Sequence, residues 1–147
     1  MNTHPGKLIS IYIGAQKGAG KTVVASAALI AHHGISGDHH AGAKPQRQIS
    51  LFANEILQEI QAAGIDVAAE ELSTNLLTEG IAIDTLTEGT KLKIGAAIIE
   101  ISEARKPCGA LTKIDKRLPK ATYLRCGQFG RVMTGGIIHA GDAIEIL

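Results

Sequence analysis

The amino-acid sequence predicts a mainly β, α+β fold that closes into a barrel or a sandwich, and three observations carry that expectation. From residue 79 onward the segments GIAID, KLKIGAAIIEIS, FGRVMT, GIIHAG and DAIEIL are short, rich in isoleucine and valine, and parted by glycine turns or charged residues, the pattern of consecutive short strands. Convincing helical periodicity is confined to one segment, residues 50–64. At 147 residues and 45% hydrophobic content, the chain suits one compact domain, residues 1–147, that buries a real core.

Taken in order, residues 8–13 place isoleucine at 9, 11 and 13, the alternation of a strand with one buried face. Residues 23–34, VVASAALIAHHG, leave two readings open. Val23, Val24, Ala28, Leu29 and Ile30 can share a helical face, yet the paired valines and the abrupt Gly34 also suit a strand. The stretch GISGDHHAGAKPQRQ at 34–48 reads as a long ordered loop. In the helix, Ser50 is the expected cap, Leu51, Phe52, Ile56, Leu57 and Ile60 recur at helical spacing, and Gly64 stops it. A second short helical piece is expected at 68–72.

Residues 14–22, GAQKGAGKT, follow the first apolar run and fit a P-loop loosely, with Ala15 in the place of the first glycine before Gly20, Lys21 and Thr22. A P-loop cradles phosphates on backbone N–H groups at the start of a helix, with the lysine on the terminal phosphates and the hydroxyl on magnesium. It demands a helix opening at the lysine, strand–helix alternation and an acidic strand end. The later chain does not alternate, and Asp84 after GIAI is the sole acidic candidate. A nucleoside triphosphatase is therefore the least favoured reading.

The net charge is +1, and the acids and bases read as interspersed, without the electrostatic footprint of a DNA- or membrane-binding surface. With no tryptophan, two Tyr and two Phe, stacking platforms for single strands are scarce. No apolar stretch approaches the roughly 18–20 residues of a membrane span, and MNTHPGKL lacks the features of a signal peptide. The expectation is a cytoplasmic protein with neither a nucleic-acid nor a membrane partner. Cys108 and Cys126 are then expected as thiols. His32, His33, His39 and His40 crowd together, but the cysteines that would complete a zinc set are far away in sequence.

GISGDHHAG at 34–42, RQISLF at 47–52, TNLLTEGI at 74–81, KPC at 106–108 and GRVMTGGIIHAGD at 130–142 together resemble the MOSC domain family, named for the C-terminal domain of molybdenum cofactor sulfurases. The resemblance covers almost the whole chain, as in a small stand-alone member. It implies a β-barrel with a few short peripheral helices and chemistry centred on one cysteine, matched here by Cys108. In that family the thiol is thought to carry sulfur as a persulfide or, in members that reduce N-hydroxylated compounds, to ligate the molybdenum of the molybdopterin cofactor. Arg105 and Lys106 would favour the thiolate that either role needs if their charges lie near, and Pro107 stiffens the approach. A small residue packed at a strand end is the plainer role for such a cysteine. For Cys126 the expectation is packing, with a resolving thiol as the alternative if it reaches Cys108.

The resemblance also assigns cofactor contacts. Asp38 and His39 fall in a GD-x-H-like segment that serves either loop architecture or the active-site wall, and Asn75 matches an asparagine beside the family's pocket. Lys17 with Gly18 matches a Lys-Gly pair near the pterin phosphate, with a plain basic turn as the favoured alternative for this loop. Ser73 and Thr74 precede Asn75 where the family usually has a charged residue. On chemistry alone, Arg47 with Gln48 suits a phosphate or carboxylate, because arginine offers a rigid fork of donors; a pairing with a structural carboxylate suits it equally. Gly37 is expected in a conformation other residues dislike, and Gly135, Gly136, Gly141 and Asp142 are expected to shape the last hairpin.

The expected site is thus Cys108 at the bottom of a polar pocket lined by Asp38, His39, Arg47 and Asn75. The expected function is a sulfur-carrier or molybdenum-cofactor-binding module whose partner is a sulfur donor or a molybdenum enzyme. The alternative is a molybdenum-dependent reductase of N-hydroxylated compounds. That enzyme would need a separate redox partner, because nothing in the sequence resembles a flavin or iron–sulfur site.

Overall fold

A computed structural model describes residues 5–17, 20–42 and 44–147. Strand β1 (Gly6–Ile13) is followed by β2 (Thr22–Val24), β3 (Ser26–Ile30), β4 (Gly34–Ile35) and β5 (Ile49–Ala53). Helix α1 (Asn54–Ala62) and a 3-10 turn at Ala69–Leu72 lead to β6 (Leu76–Glu79), and a second 3-10 turn at Ile83–Thr85 leads to β7 (Lys91–Ile94) and β8 (Ala97–Ala104). Helices α2 (Ala110–Ile114) and α3 (Leu118–Ala121) precede β9 (Gln128–Thr134), β10 (Gly136–His139) and β11 (Ala143–Ile146).

The eight-stranded sheet runs β11-β7-β8-β9-β5-β6-β1-β2 and closes through a β11–β1 pairing, so that β2 hangs outside a ring of the other seven strands. A smaller sheet, β10-β3-β4, stands beside it. The fold is therefore the mainly β barrel with short helices that the sequence predicts. Every pairing in the ring is antiparallel except β5–β6, where Leu51 lies opposite Leu76 in parallel register. Parallel neighbours cannot be joined by a tight turn, and α1 with the Ala69–Leu72 turn carries the chain back.

Two apolar cores result. Leu8, Ile11, Leu51, Leu76, Ile99 and Val132 belong to the one that fills the ring. Phe52, Leu57, Ile60, Leu111, Leu118 and Cys126 belong to the one between its outer wall and the helices. Fully burying one such aliphatic or Phe side chain is worth about 1.5–3 kcal/mol. Buried aliphatic side chains fill the ring. Among the described residues no helix is long and apolar enough to cross a membrane.

Several local expectations are corrected. Ser50 caps nothing: it lies in β5, the helix starts at Asn54, and no side chain caps it. All five residues of β5 are buried, because alternate side chains enter the two cores, and such a doubly buried strand loses the period that would mark it. Most of the undecided residues 23–34 lie in strands β2 and β3, with a turn at 31–33 before Gly34 opens β4. GIAID is not a strand; its last two residues, Ile83 and Asp84, open a 3-10 turn. Helices α2 and α3, of five and four residues, were not foreseen, being too short to show a period. The turn at Ala69–Leu72 matches the helical piece expected at 68–72. Gly37 has φ 88°, as expected.

Candidate functional site

Two loops meet beside the end of β1. Asp38 Oδ1 accepts from the Gly14 backbone N–H at 2.9 Å and from Lys21 Nζ at 2.7 Å. Asp38 Oδ2 accepts from the backbone N–H and the ring Nδ1 of His40, both at 3.1 Å. The Lys21 and Asp38 side chains are 1% and 0% exposed. Because His40 Nδ1 gives its proton to Asp38, it cannot also accept from Lys21. The second acceptor for Lys21 is His39 Nε2 at 3.4 Å. His39 N–H in turn donates to Gly14 O at 2.8 Å. Loop 14–21 is thereby stapled to loop 36–41.

Burial opposes ionisation of Asp38, but the bonds from His40, Gly14 and Lys21 outweigh it and hold the carboxyl far below its ordinary range. Burial pulls Lys21 down, Asp38 resists, and the charge of Arg105 adds to the lowering. His39 is lowered by burial and by the neighbouring His40 and Lys21 charges. This geometry rules out the P-loop. Lys21 is spent on Asp38, Thr22 opens a strand rather than a helix, and Asp84 accepts the Gly127 N–H at 3.0 Å. The ligand atoms of Asp38, His39 and His40 lie within 4.8 Å of one another, yet both Asp38 oxygens are fully engaged and the Lys21 ammonium already supplies the cation.

Arg105 connects this staple to the cysteines. It leaves the end of β8 with its backbone N–H on Gly127 O at 3.0 Å, and its Nη2 donates to Leu72 O. Its guanidinium lies 6.0 Å from the Phe129 ring centroid, while that of Arg47 lies 5.1 Å from the same ring. Arg105 Nη1 is the one buried side-chain polar atom without a partner among the described residues. The charge of Arg105 reaches both Lys21 and Cys126. Burial pushes the Cys126 thiol up, Arg105 and Thr122 oppose it, and the nearby Cys108 adds to the rise. Cys126 is buried and Cys108 is exposed.

The expected residues do not line one pocket. Cys108 stands at the surface, not at the bottom of a cavity. Asn75 is wholly buried: its Oδ1 accepts from Ser50 N–H at 3.0 Å and its Nδ2 donates to Tyr12 O at 3.1 Å, tying β5, β6 and β1 together. Gln48 is buried with Oε1 on the Val132 N–H at 2.9 Å. Arg47 pairs with Glu103 at 2.7 Å. Asp38 and His39 belong to the staple. Lys17 is exposed on the loop before Lys21, close enough for its charge to be felt at His39, and Gly18 lies outside the described residues. Two open clefts, of about 330 and 540 Å³, flank Gly80 and Ile81 and contain none of these residues.

Three features escaped the sequence reading. Lys21 has a role apart from the P-loop pattern, and its signal in the sequence is the Asp-x-His pair, Asp38 and His40, downstream of a glycine-rich lysine. Arg105 acts on Lys21 and Cys126 as well as standing near Cys108 in sequence. The charges are not interspersed: residues 48–90 hold eight Asp and Glu and no Lys or Arg, and residues 105–125 hold seven Lys and Arg against Asp115 alone.

The comparisons with known proteins agree on the fold. Crystal structures of YuaD from Bacillus subtilis (22% identical, 96% of this chain and 94% of that one, TM-score 0.84) and of YiiM from Geobacillus stearothermophilus (24%, 97% and 75%, TM-score 0.76) share the barrel. YiiM from Escherichia coli does so at 21% identity over 98% of this chain and 69% of its own, with a TM-score of 0.72. No curated protein sequence matches the chain. The family model described as the MOSC domain matches residues 36–145, which run from the stapled loop through Arg105 and Cys108 to the last strand, and the chain belongs to the MOSC domain family.

Proposed function

We propose that this MOSC protein is a sulfur carrier acting through Cys108. The observation that carries the reading is an exposed thiol three residues beyond an arginine with a buried, unsatisfied donor. A carrier must be reached by both donor and acceptor, which favours exposure, and a buried donor without a partner marks a place where an anion is welcome. In the transfer, the Cys108 thiolate attacks the outer sulfur of a donor persulfide. A new S–S bond forms on Cys108, the donor's S–S bond breaks, and the donor thiolate leaves with the electron pair. The acceptor repeats the exchange in the other direction, and no oxidant is consumed.

Arg105 Nη1 also favours a second reading. An orphaned guanidinium donor fits the phosphate of a pterin, so Arg105 and Cys108 are the residues that would hold a molybdenum cofactor, the thiolate as metal ligand. When bound, that cofactor supplies oxygen-atom and electron transfer, as in a reductase of N-hydroxylated compounds served by a separate redox partner. Asn75, Gln48 and Asp38 are committed to internal bonds and add nothing to that fit.

The test is to treat the purified protein with a small persulfide donor, remove the excess, and assay cyanide-labile sulfur with intact-mass analysis. One added sulfur on wild type and none on Cys108→Ser is expected. A wild type that takes up no labile sulfur overturns the carrier. Stoichiometric molybdenum and pterin in protein from a molybdate-replete host, lost in Cys108→Ala, establishes the second reading in its place.

A further inference from the structure

We infer that the segment bearing α2 and α3 is a docking face for an acidic protein partner. Residues 105–125 carry seven of the chain's fifteen Lys and Arg and one of its fourteen Asp and Glu, a surplus of six positive charges, while the rest carries eight bases against thirteen acids. The asymmetry falls in the segment that contains Cys108. Leu111 and Leu118 anchor the two helices inward, leaving Lys106, Lys113, Lys116 and Lys120 exposed. None of these lysines has an ion-pair partner among the described residues, whereas Arg117 is paired with Asp115 at 2.8 Å and Arg125 with Glu59 at 2.9 Å.

An apolar knob lies in the same segment. Tyr123 and Leu124 are 67% and 79% exposed, and Leu124 has φ 62°, a left-handed conformation that a bulky side chain rarely adopts. The local fold thus turns two adjacent apolar side chains to water beside a set of free lysines. That is the anatomy of a protein interface, an aromatic and aliphatic centre with a charged rim. A nucleic-acid strand would need several aromatic platforms for its bases, and Tyr123 is the single aromatic residue of 105–125. A membrane surface would call for a broad apolar face rather than two side chains. Lysines on flexible stems suit carboxylates whose spacing is set by the partner. Cys108 lies in the same segment, two residues after Lys106 and with its carbonyl oxygen accepting from the Leu111 N–H in the first turn of α2 at 3.1 Å, so the face deepens the carrier reading by naming the kind of protein it exchanges with. Its binding does not depend on that chemistry.

The test uses a fluorescein-labelled Glu/Asp-rich peptide carrying one Phe and one Leu, titrated against the full chain by fluorescence anisotropy at low and moderate salt. Parallel titrations use the same peptide with Gln and Asn for its acids, an oligothymidine, and phosphatidylserine vesicles. Salt-sensitive binding of the acidic peptide is expected, weakened about tenfold or more by K113E/K116E/K120E and several-fold by Y123A/L124A. The charge-neutral K113Q/K116Q/K120Q, checked for an unchanged melting temperature, guards against a folding defect and is expected to fall between. Cys108→Ser is expected to bind like wild type, so retained binding in a protein that accepts no sulfur separates failure of the carrier reading from failure of this one. The inference is overturned if the acidic peptide does not bind, if the lysine variants bind it equally, or if the uncharged peptide matches it. Tighter binding of the oligothymidine or vesicles through the same lysines also overturns it.

Discussion

Lys21 Nζ and Asp38 Oδ1 meet at 2.7 Å with both side chains closed to water, which makes each the counter-ion without which the other could not stay buried. Removing one partner leaves an uncompensated charge, and losses of about 3–5 kcal/mol are usual for that. Lys21→Met is expected to destabilise by that order in urea unfolding, and so is Asp38→Ala. The double variant should cost clearly less than the two single losses added together. Strict additivity would show that the pair is not coupled.

The depressed groups at the staple set the acid limb of stability. His39 and Asp38 both titrate lower in the folded chain than outside it. Below the ordinary histidine value of about 6.5, and again below the aspartate value of about 3.9, the unfolded chain binds protons that the folded chain refuses. Stability is therefore full above these values and falls as pH drops through each window. Thermal melting against pH is expected to show a shallow loss below about pH 6.5 that disappears in His39→Gln. A steeper loss follows below about pH 4, and it should be reduced in Asp38→Asn, which starts from a lower plateau, leaving the part that the Arg117-paired Asp115 supplies. An acid limb unchanged in both variants would refute the assignment.

Gly127 and Gly37 have the same φ, 88°, but different surroundings. A Cβ on Gly127 would stand 2.1 Å from Leu51 O, whereas one on Gly37 would meet nothing within 4 Å. Gly37→Ala should cost about 1 kcal/mol, the conformational penalty alone. Gly127→Ala adds a collision of the residue just before β9 with the β5 backbone and should cost at least about 3 kcal/mol. Chemical denaturation of the two variants ranks them, and equal losses would contradict the close approach.

The two thiols should differ sharply in reactivity. Cys108 is exposed and Cys126 is buried with its thiol pushed up, and only an accessible thiolate reacts quickly. Titration with an aromatic disulfide in native buffer should give one fast equivalent that Cys108→Ser removes, with the second released on unfolding. Two fast equivalents would mean that the outer core opens readily at Cys126.

Much of this molecule was legible in the sequence, and the misreadings have physical causes. Strands β7 to β11 were visible because glycines and charges punctuate them. β5 was not, since Leu51 and Phe52 face two different cores and leave no period. Asn75 was noticed, but a motif position does not say which way a side chain points; here it points inward, onto Ser50 and Tyr12. The staple was hidden because Lys21 and Asp38 are brought together only by tertiary folding. The charge segregation was in plain view and was lost by reading the net value.

The ring closes where Gly6 faces Ile144 and Lys7 faces Ala143, so its seam joins the two strands most distant in sequence. During synthesis, therefore, the sheet stays an open ribbon until residues 143–146 have emerged, with β1 and β7 presenting unpaired backbone at its two borders. Distant pairing is slow to find. The nascent chain thus has an interval of vulnerability to aggregation whose length is set by how quickly that final strand reaches the gap.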